Sequence, residues 1–127
     1  MTAIDTVSSL YRAFGESDMD TVGRLLADTH WNEAAGGPYG GVYRGFEEVA
    51  GNVFGRIAAD VRDFSARPDE LLAIGTDRVL ALGTYRGETD AGPMAIRFGH
   101  LWTVAEGRIS HFEQFTDTHH WRVATAS

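Results

Sequence analysis

The sequence contains no cysteine, no long apolar run and few basic residues, and each shortage excludes a class of function. Without cysteine there is no disulfide, thiol nucleophile or thiolate metal site. Lys and Arg number 11 against 18 Asp and Glu, a net charge of −7. Nucleic acid is therefore not expected as a partner, because its binding depends on basic side chains that neutralise phosphates. No apolar run approaches the roughly 20 residues that span a bilayer, so no membrane partner is expected either.

The remaining composition is that of one ordinary globular domain. The chain has 127 residues, of which 43% are hydrophobic and 23% charged. We therefore expect residues 1–127 to form a single domain. No basic segment followed by an apolar one opens the chain, which favours a cytoplasmic protein. Glycine is abundant, with 15 residues, and five of them lie between Gly36 and Gly45.

The first half of the sequence predicts helices. Apolar residues recur at helical spacing from Ile4 to Phe14, Thr2 and Asp5 resemble a capping box, and Gly15 is a plausible end. Ser17 or Asp18 would cap a second short helix. A third helix is predicted near position 46, on the stripe of Phe46, Val49, Val53 and Ile57.

The second half predicts antiparallel strands over 71–74, 79–85, 94–104 and 109–115, after a short strand at 31–34. Residues 64–67 could begin the first of these strands, with Pro68 marking an edge or a bulge. Helices followed by such a meander indicate an α+β fold with the helices on one face of the sheet. We expect residues 118–127 to form a loosely held tail.

Strand alternation places His100 inside. It shares one face of its strand with the apolar side chains of Ile96, Phe98, Trp102 and Val104. In the last strand, simple alternation puts Phe115 and Asp117 on the side of Ile109, and Phe112 and Gln114 on the other. Both sides then mix polar and apolar residues, which suggests a bulge.

Four segments in this order resemble a known family: Trp31-Asn32-Glu33, the glycine-rich run 36–45, Phe98-Gly99-His100-Leu101-Trp102 and Gln114-Phe115-Thr116-Asp117. They resemble the SnoaL-like, ketosteroid-isomerase-related branch of the nuclear transport factor 2 (NTF2)-like superfamily. The resemblance implies a cone-shaped fold in which three N-terminal helices pack on a curved mixed or antiparallel sheet enclosing an apolar pocket. It also implies a homodimer. It does not imply one reaction, because members include isomerases, cyclases, dehydratases, epoxide hydrolases and non-catalytic modules.

The resemblance suggests carboxylates for proton transfer. Glu33 stands where the steroid isomerases carry their general base, and burial among aromatic rings would raise its pKa. Asp117 stands where polyketide cyclases carry an acid–base carboxylate. The alternatives are a solvent-facing or loop-capping Glu33, and an Asp117 that caps the turn into the tail.

His100 stands where the steroid isomerases keep an acid that stabilises the enolate, so it could donate a hydrogen bond to a carbonyl or act as the base. Tyr39 is the second candidate hydroxyl donor. Alternatively, His100 is a core residue bonded to a backbone carbonyl, and Tyr39 covers the pocket mouth. Candidate substrate-binding residues, which could equally be core, are Trp31, Phe54, Phe98, Trp102, Gln114 and Phe115.

Phosphate and metal sites are not expected. The glycine run lacks the spacing of a phosphate-binding loop and more plausibly forms a flexible lip. The adjacent pair His119-His120 does not converge on a metal ion. The leading hypothesis is a cofactor-independent enzyme that isomerises, cyclises or dehydrates a small apolar carbonyl or polyketide-like molecule through an enolate. The alternative is a non-catalytic module for a hydrophobic ligand or for dimerisation, and Arg97, Leu101 and Thr103 are candidate dimer contacts.

Overall fold

A computed structural model describes residues 1–126, and its first two helices begin as the sequence predicts. The side chain of Thr2 accepts a hydrogen bond from the Asp5 backbone N–H, and the Asp5 carboxylate accepts one from Thr2, which starts α1 (Ala3–Gly15). Asp18 caps α2 (Met19–Leu25) by accepting from the backbone of Thr21.

The third helical region is interrupted. It consists of α3 (Gly45–Val49), a π-helical turn (Ala50–Phe54) and α4 (Gly55–Asp60), where the sequence predicts one regular helix. The wider turn changes the rotation between successive side chains. Val49, Val53 and Ile57 nevertheless all reach the core, as predicted.

Within residues 1–126, six strands form one sheet in the order β2-β1-β6-β5-β4-β3. Strands β1 and β6 are parallel and the other neighbours are antiparallel, so the sheet is mixed. A register shift between Pro68 and Glu70 confirms the bulge expected at Pro68. The strands are β1 (His30–Glu33), β2 (Gly41–Arg44), β3 (Arg62–Ile74), β4 (Arg78–Thr89), β5 (Gly92–Ala105) and β6 (Arg108–Thr116).

Part of the glycine-rich run is a strand, and the expectation of a flexible lip is wrong there. Residues 41–44 pair with β1, and the Tyr43 hydroxyl donates to the carbonyls of Tyr39 and Gly40 at 2.9 and 3.1 Å. These bonds hold the loop between the two strands in place.

The loosely held tail expected at 118–127 is also wrong over the described residues. Residues Thr118–Thr125 form α5, which Asp117 caps and whose Trp121 is buried. The Trp121 ring packs edge-on against Tyr39 and Tyr85 at centroid distances of 5.7 and 5.2 Å. This packing supplies the free energy that so short a helix lacks on its own. Ser127 lies outside the described residues.

The helices pack on the inner face of the sheet, which confirms the α+β, NTF2-like fold. Helix α1 contacts β3, β4, β5 and β6, and α5 closes against β5. Aromatic side chains from both layers fill the space between them: Trp31, Tyr39, Tyr85, Phe98, Trp102, Phe112 and Trp121 are all buried. None of the helices in residues 1–126 has the length and apolar character needed to span a membrane.

Candidate functional site

Glu33 is a buried carboxyl group at the end of β1. Trp31 and Glu33 are two residues apart on a strand, so both side chains point to the inner face. Glu33 is 4% exposed, and its Oε1 accepts a hydrogen bond from the Trp31 indole N–H at 2.8 Å. Burial raises the pKa of Glu33 to about 7, against the lowering effect of hydrogen bonds from Trp31 and Gln114. The group can therefore both accept and return a proton near neutral pH.

His100 is a buried imidazole on the inner face of β5, as strand alternation predicts. Both of its ring nitrogens meet tyrosine hydroxyls, Nδ1 that of Tyr11 and Nε2 that of Tyr85, each at 2.5 Å. The expected alternative of a backbone carbonyl partner is not what the structure shows. Burial lowers the pKa of His100 to about 3, so the imidazole is neutral near pH 7. Direct contact between His100 and a substrate would require one of the two tyrosine bonds to open.

Each tyrosine oxygen also accepts a hydrogen bond. The Trp102 indole N–H donates to Tyr11 at 3.0 Å, and the Gln114 Nε2 donates to Tyr85 at 2.9 Å. Burial raises the pKa of both tyrosines, so both hydroxyls are protonated near neutral pH.

Gln114 connects this network to Glu33. Its Oε1 accepts from the backbone N–H of Ala34 at 3.0 Å, and its side chain lines the same small cavity as Glu33, where it lowers the pKa of that carboxyl group. Hydrogen bonds therefore link Gln114, Tyr85, His100, Tyr11 and Trp102 through the interior, and Glu33 lies beside Gln114. These six residues are called here the interior polar chain.

The space beside Glu33 is almost completely filled. A cavity of about 10 Å³ remains, about enough for one water molecule, lined by Glu33, Ala34, Gly37, Pro38, Tyr39, Gln114, Thr116 and Trp121. Tyr39 and Trp121 cover it from the side of the glycine-rich loop and α5. The Tyr39 hydroxyl donates to the Asp60 carboxylate at 2.8 Å, which ties the loop to the end of α4. The covering position of Tyr39 corresponds to the alternative considered from the sequence.

Asp117 and Phe115 do not join Glu33 and His100 in the interior. Asp117 is exposed, and its Oδ1 accepts the His120 backbone N–H at 2.9 Å as the cap of α5, whereas the alternative weighed for it was a cap of the turn into a loosely held tail. Phe115 is 50% exposed, whereas Phe112 and Gln114 occupy the inner face of β6. Simple alternation from Ile109 misplaces these residues because the register shifts between Thr103 and Val104, where β5 pairs with β6. The catalytic role of Asp117 stays a prediction.

The other predicted lining residues lie inside. Trp31 packs against Phe112 and Trp102 at centroid distances of 3.8 and 5.8 Å, and Phe54 meets Trp31 edge-on at 5.5 Å. Phe98 stacks on His100 at 4.0 Å.

Tyr11 and Tyr85 are the two functional residues that the sequence analysis missed. Tyr11 was counted in the apolar stripe of α1, and Tyr85 was assigned only to a strand. A usable signal exists: Val79, Ala81 and Tyr85 alternate onto one face of β4, and in an antiparallel sheet that face continues to His100.

A larger recess lies elsewhere, on the outer face of the sheet. It is an open groove of about 340 Å³ lined by His30, Asn32, Val42, Arg78, Leu101, Thr103, His111, Phe112 and Glu113. It lies on the face of the sheet opposite to Glu33 and His100. In the described part of the chain, no three His, Asp or Glu side chains are placed to hold a metal ion.

Comparison with known proteins agrees with this architecture. An NTF2-like protein from Burkholderia thailandensis is 32% identical over 100% of this chain and 99% of its own, with a TM-score of 0.91. TerC, co-crystallised with polyporic acid, is 22% identical over 98% of each chain with a TM-score of 0.86. A hypothetical protein with a ketosteroid isomerase-like fold from Catenulispora acidiphila, in complex with trimethylamine, is 18% identical over 94% and 91% of the chains, with a TM-score of 0.78. A search of curated proteins found no match. The model of the SnoaL-like domain matches residues 7–112, and the chain therefore belongs to the SnoaL-like domain family.

Proposed function

We propose that this protein is a cofactor-independent enzyme that moves a proton on a small apolar carbonyl or polyketide-like molecule. The observation that carries the proposal is the buried Glu33 carboxyl, whose pKa of about 7 suits it to take and return protons at neutral pH. Glu33 removes a proton from the carbon next to the carbonyl, giving an enolate. Return of the proton elsewhere, attack of the enolate on a second carbonyl, or loss of water then gives isomerisation, cyclisation or dehydration.

The related folds support a small molecule as the partner. TerC was crystallised with polyporic acid and the Catenulispora protein with trimethylamine. Aromatic rings surround Glu33 in this chain, which favours an apolar or aromatic substrate over a charged one.

Substrate entry requires a movement, since the cavity beside Glu33 measures about 10 Å³. Tyr39 and Trp121 are the side chains that cover it, and each belongs to a segment at the edge of the fold. We propose that α5 and the loop carrying Tyr39 move outwards together to admit the substrate.

The experiment measures exchange of hydrogen for deuterium at carbons next to a carbonyl, in D₂O, across a panel of cyclic ketones and hydroxyquinones. This reaction needs the enolate step alone, so it requires no knowledge of the natural product. We expect the wild-type protein to accelerate exchange for at least one compound and Glu33→Gln to lose about 100-fold or more of that rate. Glu88→Gln, which changes an exposed carboxylate on β4, serves as the matched control and should retain it. Equal exchange rates in wild type and Glu33→Gln would overturn the role of Glu33.

The second candidate is a non-catalytic module, and the filled interior is the observation that favours it. Here the interior polar chain would serve only to satisfy buried polar groups. A compound that binds beside Glu33, seen as shifts of the Trp31 and Trp121 indole resonances, but exchanges no faster than in buffer would support this second candidate.

We also propose that a second copy of the chain covers the outer face of the sheet. In the strand register, Leu72, Leu80 and Leu101 lie side by side across β3, β4 and β5. Leu82 and the half-exposed Phe115 extend this apolar stripe in the next row, on either side of Gly99. Sedimentation at micromolar concentration should give a dimer for the wild type and a shift towards monomer for Leu101→Glu. A monomeric wild type would contradict the proposal.

A further inference from the structure

The direction of two hydrogen bonds in the interior polar chain is fixed by chemistry. An indole N–H can only donate, so the Tyr11 oxygen accepts from Trp102. The Ala34 N–H can also only donate, so the Gln114 amide atom that faces it must be the oxygen, Oε1. The NH₂ group of Gln114 therefore faces Tyr85. Both tyrosine oxygens therefore already accept one hydrogen bond from outside the Tyr–His–Tyr group.

The imidazole between the two tyrosines must then form two different hydrogen bonds, one as donor and one as acceptor. A neutral imidazole donates from one nitrogen and accepts at the other. One tyrosine therefore donates its proton to His100, and the other accepts the His100 N–H. The accepting tyrosine has two donors on its oxygen, so its own hydroxyl proton points away from the ring.

Two arrangements satisfy this count. In the first, Nδ1 carries the proton and donates to Tyr11, while Tyr85 donates to Nε2. In the second, Nε2 carries the proton and donates to Tyr85, while Tyr11 donates to Nδ1. Both contain the same three protons, and they differ in which tyrosine can direct its hydroxyl proton elsewhere.

The charge on Glu33 can stabilise one of these two proton arrangements relative to the other. The titratable groups facing the interior polar chain are Tyr11 from α1, Tyr85 from β4, Glu33 from β1 and Tyr39 from the loop before β2. The negative charge of Glu33 raises the pKa of Tyr85, in addition to the effect of burial. Gln114 donates to Tyr85 at 2.9 Å and lines the same small cavity as Glu33, so the hydroxyl and the carboxyl lie near one amide group.

We propose that the protonation of Glu33 sets the tautomer of His100 through Tyr85 and Gln114. An ionised Glu33 favours the arrangement in which the Tyr85 proton is available to the carboxylate side and Nε2 holds the imidazole proton. A protonated Glu33 favours the Nδ1 form. His100 and Gln114 are thus positioning residues that present the Tyr85 hydroxyl to the Glu33 site after Glu33 has released its proton. The inference extends the proposed function and rests on it for its role in catalysis.

The experiment reads the His100 tautomer directly by ¹⁵N NMR of imidazole-labelled protein between pH 5.5 and 8.5, without any substrate. His100 is identified as the imidazole that stays neutral at the acidic end. We expect the ratio of the Nε2-protonated to the Nδ1-protonated form to rise by about tenfold as Glu33 ionises. In Glu33→Gln the ratio should be independent of pH.

Two matched tyrosine variants separate coupling from simple packing. Tyr85→Phe should abolish the pH dependence of the ratio, whereas Tyr11→Phe, which removes the hydroxyl on the other side of the same ring, should retain it. Glu33→Gln keeps the interior shape, so it tests the proposal even where a tyrosine variant does not fold. A pH-independent ratio in the wild type, a persistent change in Glu33→Gln, or a doubly protonated ring would overturn the inference. Since the NMR readout needs no turnover, its failure leaves the exchange assay of Glu33 unaffected, and the converse also holds.

Discussion

Trp31 and Glu33 form a hydrogen-bonded pair on the same face of β1, with 2.8 Å between the indole Nε1 and the carboxyl Oε1. Burial and the Trp31 hydrogen bond shift the pKa of Glu33 in opposite directions. Burial favours the neutral acid, and the Trp31 N–H stabilises the carboxylate. The tryptophan thereby keeps the pKa of a deeply buried acid within the physiological range.

Replacing the donor should raise that pKa further. We expect Trp31→Phe to shift the pKa of Glu33 upwards from about 7 by about one unit, because a hydrogen bond to a charged group is lost. Carboxyl ¹³C NMR of protein labelled at glutamate measures the shift. An unchanged midpoint would mean that the Trp31 contact does not stabilise the ionised form.

Glu33 should make the protein less stable as the pH rises. Its pKa is about 7 in the folded chain against an ordinary value of 4.5, so the folded state holds the proton more tightly. The contribution to the free energy of unfolding is therefore fully present below pH 4.5 and is lost as pH rises through about 7, in total about 3 kcal/mol. Urea unfolding of wild type and Glu33→Gln at several pH values should show the variant gaining this amount relative to wild type. Glu88→Gln should show no such trend.

His100 should change the free energy of unfolding with pH in the opposite direction to Glu33. Its pKa is about 3 in the folded chain against an ordinary value of 6.5, so stability is lost as pH falls from 6.5 towards 3. Between pH 4.5 and 6.5 the two slopes oppose each other in wild type. Glu33→Gln removes one of them, so its free energy of unfolding should rise with pH across this window by about 1.4 kcal/mol per unit. A flat profile in the variant would show that His100 is not held neutral by the fold.

Trp121 should be the main anchor of α5. Its removal leaves a large cavity between Tyr39, Phe64 and Tyr85, and we expect Trp121→Ala to lower the free energy of unfolding by about 3–5 kcal/mol. Val123→Ala, on an exposed position of the same helix, should change it by less than about 0.5 kcal/mol. Denaturant unfolding compares the two. Similar effects from both would show that α5 is not held by its tryptophan.

Gly83 should not tolerate a side chain. An added Cβ would lie 2.4 Å from the Arg67 carbonyl oxygen and 2.6 Å from the Phe98 ring. Gly83→Ala should therefore destabilise the protein by about 3 kcal/mol or more, because β3 and β4 would have to separate. Gly51→Ala is the matched control: its Cβ meets nothing within 4 Å, and alanine should stabilise the helical segment by up to about 1 kcal/mol. Thermal unfolding of both variants measures these changes, and an equal stability of the two variants would contradict the prediction.

The parts of the fold that depend on local patterns could be predicted from the sequence. The caps at Thr2 and Asp18 and the inward side of His100 follow from spacing within a few residues. Helix α5 could not be predicted in this way, because its order comes from the contacts of Trp121 with distant rings. The mixed faces of the last strand suggested a bulge, but its position opposite Thr103 and Val104 could not be predicted, since it depends on how two strands pair.

The candidate site likewise contains residues that the sequence identified and residues that only the structure revealed. The family resemblance identified Glu33 and His100, and the structure places Gln114 on β6 and Tyr85 on β4 between them. Tyr11 and Tyr85 lie 89 and 15 residues from His100 in sequence, so no local motif joins them to it. The resemblance gave an acid–base role to Asp117, which follows β6. The sequence does not distinguish this role from the capping of a helix, because an aspartate serves in both.

All three tryptophans of the chain, Trp31, Trp102 and Trp121, are buried around the interior polar chain. The tryptophan fluorescence of the protein therefore originates entirely beside the candidate site. One indole contacts Glu33, a second contacts Tyr11, and the third belongs to the helix that covers the cavity. A compound that enters the cone, or a proton that leaves Glu33, changes the surroundings of an emitter directly. The molecule thus carries its own label-free optical sensor, with which unknown substrates can be screened.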